Sequence, residues 1–366
     1  MSTVFDYIDW RGDLTFEQSS LNEVDALILS MISYVDFTEI LQDEDGAPLP
    51  TLLDVARRYA RLHRGKPQKL GLIVPTEVVS IMVKAAKSKR FGSLLVHSHV
   101  NIVNAETETQ FSAVTFSHGE DAHFIAFRGT DDTLIGWKED FNMCFMHPVP
   151  AQLEALSYVE DVANRSSGRL FLGGHSKGGN LAVFSAVRSS PHTRERIISV
   201  FNNDGPGFTR EFVESTEYTD MIPKIRAFVP QSSVVGMLLE HEGTYEVIKS
   251  AQSGILQHNA FFWEVLGNSF VHLNTVTSES MMIDRTLKKW LGEMTPEVRE
   301  TFVDSLFETI AASGATTLTE LNADKIKLVK TWNNLPPESR ALVRKCISIL
   351  IRDARAGRDG RDRELT

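Results

Sequence analysis

The chain has 366 residues, of which 42% are hydrophobic and 23% are charged, as is ordinary for a globular protein with a sizeable core. Its formal net charge of −10 argues against nucleic acids and anionic membranes as general partners, because both repel an acidic surface. The two cysteines, Cys144 and Cys346, predict neither a disulfide framework nor a zinc site. With no signal peptide and no apolar run of about 18 residues, the sequence predicts a cytoplasmic protein without an integral membrane span.

The first part of the chain is predicted to be helical. Apolar residues between positions 21 and 32 recur at helical spacing, and further helices are expected over residues 52–59 and 76–88. Glycine and proline in residues 46–50 separate the first two helices. We expect residues 1–90 to form a helical segment that packs on the central domain.

The middle of the chain, residues 91–277, is predicted to be an α/β domain. Helices are expected over residues 151–164 and 180–187. Strands are predicted at residues 94–103, 112–117, 123–127, 170–172, 196–201 and 224–229, with a short final strand at 245–249. Because strands alternate with helices after residue 120, we expect a mostly parallel sheet that is flanked by helices on both faces.

The last part of the chain is predicted to be helical again. A Thr-Pro-Glu sequence at residues 295–297 and a Pro-Pro-Glu sequence at residues 336–338 each begin a helix. We therefore expect residues 278–354 to form a C-terminal helical extension. Residues 355–366 are charged and contain glycine, and we expect them to be a disordered tail.

The most informative segment is Gly-His-Ser-Lys-Gly at residues 174–178. It has the form G-x-S-x-G, in which a serine lies on a sharp turn between a strand and a helix. Such a turn strains the backbone of Ser176, so a β-carbon at Gly174 or Gly178 would collide with the strand or the helix. The turn would hold the serine hydroxyl at a helix N-terminus, where N–H groups can stabilise an oxyanion. The alternative is a glycine-rich loop in which Ser176 only caps the helix.

A serine nucleophile needs a histidine that accepts its proton and a carboxylate that orients this histidine. On this kind of sheet the chain order is Ser, acid, His. His258 follows the predicted final strand and is the expected base, with His241 second and His272 third. His192 belongs to the wrong edge of the predicted sheet. The alternative for His258 is that it caps a helix over residues 259–265.

Asp204 is the expected acid. It comes just after the strand predicted at residues 196–201 and lies on a Gly-Pro turn, at the carboxyl end of the strand. The alternatives are that Asp204 only stabilises this turn and that Glu240 or Glu242 supplies the carboxylate. The segment after the following strand, at residues 231–233, contains no carboxylate.

The oxyanion hole is expected to use two backbone N–H groups. One belongs to Lys177, directly after the nucleophile, and the other comes from a loop after an early strand. The loop at residues 127–132 contains Thr130, which offers both an N–H group and a hydroxyl. Arg128 would brace this loop by pairing with a nearby carboxylate. The alternative is a purely structural loop with aromatic neighbours.

Taken together, these segments resemble the class 3 lipases of the α/β-hydrolase superfamily. The resemblance covers roughly residues 94–270. The matching elements, in order, are Phe127-Arg128-Gly129-Thr130, Trp137-Lys138-Glu139-Asp140, Gly174-His175-Ser176-Lys177-Gly178, and His258 with Trp263 nearby. Residues 6–13 and 110–113 also resemble a bacterial, lipase-like family of unknown function.

The resemblance implies an α/β-hydrolase-type sheet, to which the helical segments predicted from the sequence pattern add N- and C-terminal extensions. It also implies Ser176 as the nucleophile, His258 as the base, and Thr130 with the Lys177 amide as oxyanion donors. Class 3 lipases place the acid where residues 231–233 stand here, so either Asp204 has replaced it or the triad is degraded.

We therefore expect a serine hydrolase that cleaves carboxylic esters, whether lipids or small molecules, through an acyl-enzyme on Ser176. The alternatives are a catalytically inactive interaction protein on a hydrolase scaffold and an acyltransferase that uses the same residues. This mechanism needs no metal and no organic cofactor, and it leaves the oligomeric state open. The apolar residues 234–239 could line an acyl pocket or form part of a lid, but core packing is the expected role.

Overall fold

The computed structural model describes residues 1–41, 48–64, 70–71, 74–241 and 245–323, and six single positions between 337 and 348. Most of the helix predicted from residue 336, the whole tail at 355–366, and Cys346 lie outside the described residues. Cys144 is a free thiol.

The described residues form helices of four to sixteen residues. They are α1 (Val4–Arg11), α2 (Glu23–Ile32), α3 (Leu52–Leu62), α4 (Glu77–Ala86), α5 (Lys89–Gly92), α6 (Leu134–Asn142), α7 (Pro150–Arg165), α8 (Lys177–Arg188), α9 (Pro191–Arg196), α10 (Arg210–Val213), α11 (Thr216–Met221), α12 (Ser278–Gly292), α13 (Pro296–Ala311) and α14 (Leu318–Ala323). The strands are β1 (Leu95–Asn104), β2 (Thr109–His118), β3 (Ala122–Phe127), β4 (Arg169–His175), β5 (Ile197–Asn203), β6 (Ile225–Pro230), β7 (Tyr245–Ile248), β8 (Val265–Leu266), β9 (Ser269–Phe270) and β10 (His272–Leu273).

Eight of these strands form one sheet in the described part of the chain, in the order β1-β2-β3-β4-β5-β6-β7-β10. The pairs from β3 to β7 are parallel. The β1, β2 and β10 strands add antiparallel pairs at the two ends. The fold is therefore the predicted α/β-hydrolase type, a mostly parallel sheet flanked by helices.

Helices cover both faces of the sheet, because successive side chains of β3 pack in two different apolar clusters. Phe124 and Ala126 pack in one apolar cluster with the N-terminal helices. Ile125 and Phe127 pack in a second cluster that contains residues of α7 and α8. Since successive side chains of a strand point to opposite faces, the two clusters are the two layers of the core.

Two sequence predictions need correction. The strand at residues 245–249 is not the last, because the chain returns through a tight turn at Gly267, with φ of +65°, and adds β10 antiparallel to β7. This return uses two-residue strands, which are too short to give a periodic pattern. The second correction concerns α6, α9, α10 and α11, helices of the central domain that were not predicted.

The C-terminal helices pack on α6. Phe307 of α13 contacts Phe141 of α6 with ring centroids 5.7 Å apart, and Trp290 of α12 meets Phe302 of α13 edge-on at 5.7 Å. Nowhere in the described residues does a helix have the length and apolar character needed to cross a bilayer. The cytoplasmic location stays a prediction.

Candidate active site

Ser176 lies between the end of β4 and the start of α8 with φ of +58° and ψ of −133°, which is the strained turn that the motif predicts. A β-carbon at Gly174 would overlap the backbone of Gly178, and one at Gly178 would overlap the carbonyl of Phe127. Only glycine fits at both positions. The Ser176 side chain makes no capping hydrogen bond to α8, so the alternative of a helix cap is wrong.

The structure brings Asp204 and His258 together. The His258 Nδ1 lies 2.6 Å from the Asp204 Oδ2, and the carboxylate is fully buried. Asp204 follows β5 on a turn with φ of +54°. Because Asp204 occupies Nδ1, the Nε2 of His258 is the nitrogen left for the serine. Ser176 and His258 line the same cavity.

The segment that lacks the acid of the class 3 lipases supports Asp204 instead. The Ser233 hydroxyl donates a hydrogen bond of 2.5 Å to the Asp204 Oδ1. The Gly236 N–H donates to the same oxygen at 3.2 Å. Hydrogen bonds to the ionised form of a carboxylate stabilise its charge. Asp204 thus does more than close its own turn.

The loop that carries His258 is fixed on both sides of the histidine. Trp263 is fully buried and donates from its indole N–H to the Gln257 carbonyl at 2.8 Å, so this aromatic residue anchors the loop. The Gln257 side chain accepts the Ser232 N–H at 2.8 Å. His258 ends a short 3₁₀ turn, and it is Asn259 that caps the next one. The alternative role of His258 as a helix cap is therefore wrong.

His175, the second residue of the motif, connects this loop to the N-terminal segment. Its Nε2 lies 2.8 Å from the His258 carbonyl oxygen, and its Nδ1 lies 3.1 Å from the Tyr34 hydroxyl. Burial holds the pKa of His175 well below its usual range. The neutral ring can therefore donate from Nε2 to the carbonyl and accept the Tyr34 O–H at Nδ1. No local sequence pattern predicts this contact, because Tyr34 and His175 are 141 residues apart.

The predicted oxyanion residues lie beside the serine in the same cavity. The Thr130 hydroxyl donates to the Asp140 Oδ2 at 2.5 Å, which fixes the side chain of this loop. The N–H of Lys177 is the first of α8 and has no acceptor within the helix. Arg128 pairs with Asp131 at 3.0 Å, as predicted.

A buried ion pair lies below the start of α8. The Lys177 Nζ donates to the Glu139 Oε2 at 2.9 Å and to the Gln110 carbonyl at 2.8 Å. The same carboxylate accepts the N–H groups of Gln110 and Ala151. The pair therefore joins the helix after the nucleophile to α6, α7 and β2. Sequence reasoning missed it, since the two charges are 38 residues apart.

The alternative triad members lie elsewhere. His272 bonds to Glu23 and Glu246 at the outer edge of the sheet, and His192 belongs to α9. Burial lowers the pKa of His241 to about 4, and this residue does not line the cavity. Glu240 pairs with Arg210 and Lys288. Glu242 lies outside the described residues.

The cavity in front of Ser176 has a volume of about 850 Å³, which is within the range of small-molecule sites. Its lining includes Val235, Leu238 and Leu239. The expectation that residues 234–239 only pack in the core is therefore wrong for these three side chains, whereas Met237 does lie in a core cluster. Among the described residues, no group of three or more His, Cys, Asp or Glu side chains is arranged to hold a metal ion.

Comparison with known proteins gives a family match and several distant structural similarities. A family model described as Mbeg1-like matches residues 85–308, whereas no curated protein matches the chain significantly. A Rhizomucor miehei lipase propeptide complex is 14% identical, with 48% of this chain and 70% of that chain covered and a TM-score of 0.35. The M37 lipase is 16% identical, with 60% of this chain and 70% of that chain covered and a TM-score of 0.35. The Lip2 lipase from Yarrowia lipolytica is 10% identical, with 69% of this chain and 84% of that chain covered and a TM-score of 0.35.

Proposed function

This chain belongs to the Mbeg1-like family, and we propose that it is a serine hydrolase that cleaves carboxylic esters through an acyl-enzyme on Ser176. The observation that carries the proposal is the 2.6 Å contact between His258 and Asp204, on a loop that borders the same cavity as Ser176. Neither residue is near the other in sequence. A buried carboxylate on the Nδ1 of a histidine that is one-quarter exposed is the arrangement that a general base requires.

The reaction follows from the roles of these groups. The Nε2 of His258 takes the proton of the Ser176 hydroxyl while the oxygen attacks the ester carbonyl carbon. The carbonyl oxygen becomes an oxyanion, which the N–H groups of Thr130 and Lys177 stabilise. The intermediate then expels the alcohol, which takes the proton from His258. Water repeats these steps on the acyl-enzyme and releases the carboxylic acid.

The test is hydrolysis of a panel of p-nitrophenyl esters by the wild type and two variants. We expect Ser176→Ala to abolish turnover, since the nucleophile is gone. Asp204→Asn should lower kcat on the order of 10³–10⁴-fold, because the histidine loses its orientation and the charge that stabilises its imidazolium form. Thermal unfolding of each variant shows that the fold is kept.

Glu240→Gln is the matched control for the acid. Glu240 was the rival carboxylate and pairs on the surface with Arg210 and Lys288, so its replacement should leave kcat within about twofold. Full activity of Asp204→Asn together with a large loss of activity in Glu240→Gln would show that Glu240, and not Asp204, is the acid of the triad.

Two other functions give different results in the same assay. An inactive interaction protein predicts no turnover of any ester by the folded wild type. An acyltransferase predicts that an added alcohol appears in a new ester at the expense of the free acid. Product analysis with and without the alcohol distinguishes acyl transfer from hydrolysis.

A further inference from the structure

The C-terminal helices border the cavity that contains Ser176. They contribute a set of apolar side chains to its lining, here called the C-terminal wall. The wall residues are Leu287, Trp290, Leu291, Met294, Phe302 and Val303. Trp290 and Phe302 meet edge-on within it. A region outside the α/β sheet thus forms a large part of the site.

The charged groups near this wall are already engaged by the protein. Arg299 of α13 also lines the cavity, but its guanidinium donates to the carbonyls of Cys144 and Leu291 at 2.7 to 3.1 Å. Lys177 is held by Glu139. The other charged residue of the lining outside the catalytic loops and α6 is Glu77 of α4. The C-terminal wall therefore presents hydrocarbon to a ligand.

Backbone hydrogen bonds attach the C-terminal region at both sides of the catalytic site. At its start, the Thr277 N–H donates to the Gln231 carbonyl at 2.7 Å, and the Ser280 hydroxyl donates to the carbonyl of Ser233, the residue that supports Asp204. At its end, residues 316–318 bond with residues 132–134, next to the Thr130 loop. Residues of the segment between these attachments line the cavity.

We propose that α12 and α13 form the acyl-binding wall of the enzyme and select esters with long, uncharged hydrocarbon chains. This inference rests on the proposed function and adds its substrate class and the elements that set it. Burial of each further methylene group on an apolar wall improves binding about fourfold. The gain ends when the chain outgrows the wall.

The first experiment measures kcat/KM of the wild type for p-nitrophenyl esters with acyl chains of 4, 8 and 12 carbons. Each ester is kept below its critical micelle concentration, so that aggregates do not contribute. We expect kcat/KM to rise at least 100-fold between the 4- and 12-carbon esters. Turnover with no dependence on chain length would overturn the acyl wall and leave the serine hydrolase intact. Absence of turnover with every ester would instead contradict the proposed function.

The second experiment places larger side chains in the wall, so that they fill part of the cavity. Leu291→Trp and Leu287→Trp each place a larger side chain in the cavity. Cooperative unfolding shows that a variant is folded, and one folded variant is sufficient for the test. We expect the ratio of kcat/KM for the 12-carbon ester to that for the 4-carbon ester to fall at least tenfold. Leu306→Trp is the matched control, because Leu306 packs in the same cluster of C-terminal helices but does not line the cavity.

The control variant should keep the wild-type ratio. An equal fall of the ratio in Leu306→Trp, or an unchanged ratio in a folded Leu291→Trp or Leu287→Trp, would show that the wall does not select the chain.

Discussion

Two helical regions flank the sheet, and they serve different purposes. In the N-terminal region, all ten residues of α2 are buried against the sheet and its neighbouring helices. In the C-terminal region, α12 buries only Ser280, Thr286 and Trp290, while Leu287 and Leu291 line the cavity. The first region completes the core and the second borders the site. Helical periodicity in the sequence does not distinguish these purposes.

The ion pairs of the two regions differ in the same way. Arg90 and Asp25 are completely buried and form a bidentate pair, with the Arg90 Nε 2.6 Å from the Asp25 Oδ1. Tyr7 donates a further hydrogen bond to this carboxylate at 2.9 Å. By contrast, Asp304 of α13, which pairs with Lys138 of α6 at 2.8 Å, is nearly half exposed.

The largest effect on stability is expected for Asp25→Ala. It leaves the Arg90 charge buried without its carboxylate, and such a change costs about 3–5 kcal/mol of the free energy of unfolding. Urea or guanidinium denaturation measures this loss. A cost below about 1 kcal/mol would remove the distinction between the two regions.

Asp304→Ala is the matched change in the C-terminal region. Because Asp304 is itself nearly half exposed and Lys138 keeps its pair with Glu108, we expect the change to cost less than about 1 kcal/mol. A cost equal to that of Asp25→Ala would mean that the C-terminal helices belong to the core as fully as α2 does.

A smaller effect is expected for Asp140, which lies on α6 below the C-terminal helices. Burial raises the pKa of Asp140 from 3.8 to about 6, so between these values the folded protein holds the proton more tightly than the unfolded chain does. Asp140 therefore contributes about 1 kcal/mol more to the free energy of unfolding at pH 5 than at pH 7. Denaturation of wild type and Asp140→Asn at both pH values isolates this contribution, and the variant should lack it. An equal pH dependence in the two proteins would show that the fold does not raise the pKa of Asp140.

The smallest effect is expected for Tyr34→Phe, which tests how far the N-terminal region contributes to the site. The change removes the hydroxyl near the His175 Nδ1 and leaves the ring in place. The free energy of one buried hydrogen bond corresponds to roughly a threefold to tenfold change in rate. We therefore expect kcat for ester hydrolysis to fall by this factor. An unchanged kcat would mean that the N-terminal region supports only the fold.

The sequence predicted the parts of the site that depend on local chain geometry. The turn at Ser176 requires glycines two residues away on each side, and Asp204 and His258 follow predicted strands, so position along the chain was informative. The bond from Tyr34 to His175 spans 141 residues, and no local pattern encodes it. The same is true of the ion pair between Lys177 and Glu139.

The missed helix α6 is a different case. Its N-terminus has a local signal, since the Thr133 hydroxyl caps it by accepting the Gly136 N–H. Threonine before a helix is a recognised start signal, so this helix could have been predicted. The role of α12 and α13 could not, because which face of a helix borders a cavity depends on the packing of distant segments.

Covalent labelling with an alkyl fluorophosphonate tests most directly whether Ser176 is an activated nucleophile. Intact mass measurement and peptide mapping then count and locate the label. We expect one phosphonyl group per chain, attached to Ser176, and no label on Ser176→Ala. A folded wild type that stays unlabelled, or a label on any other residue, would contradict this expectation.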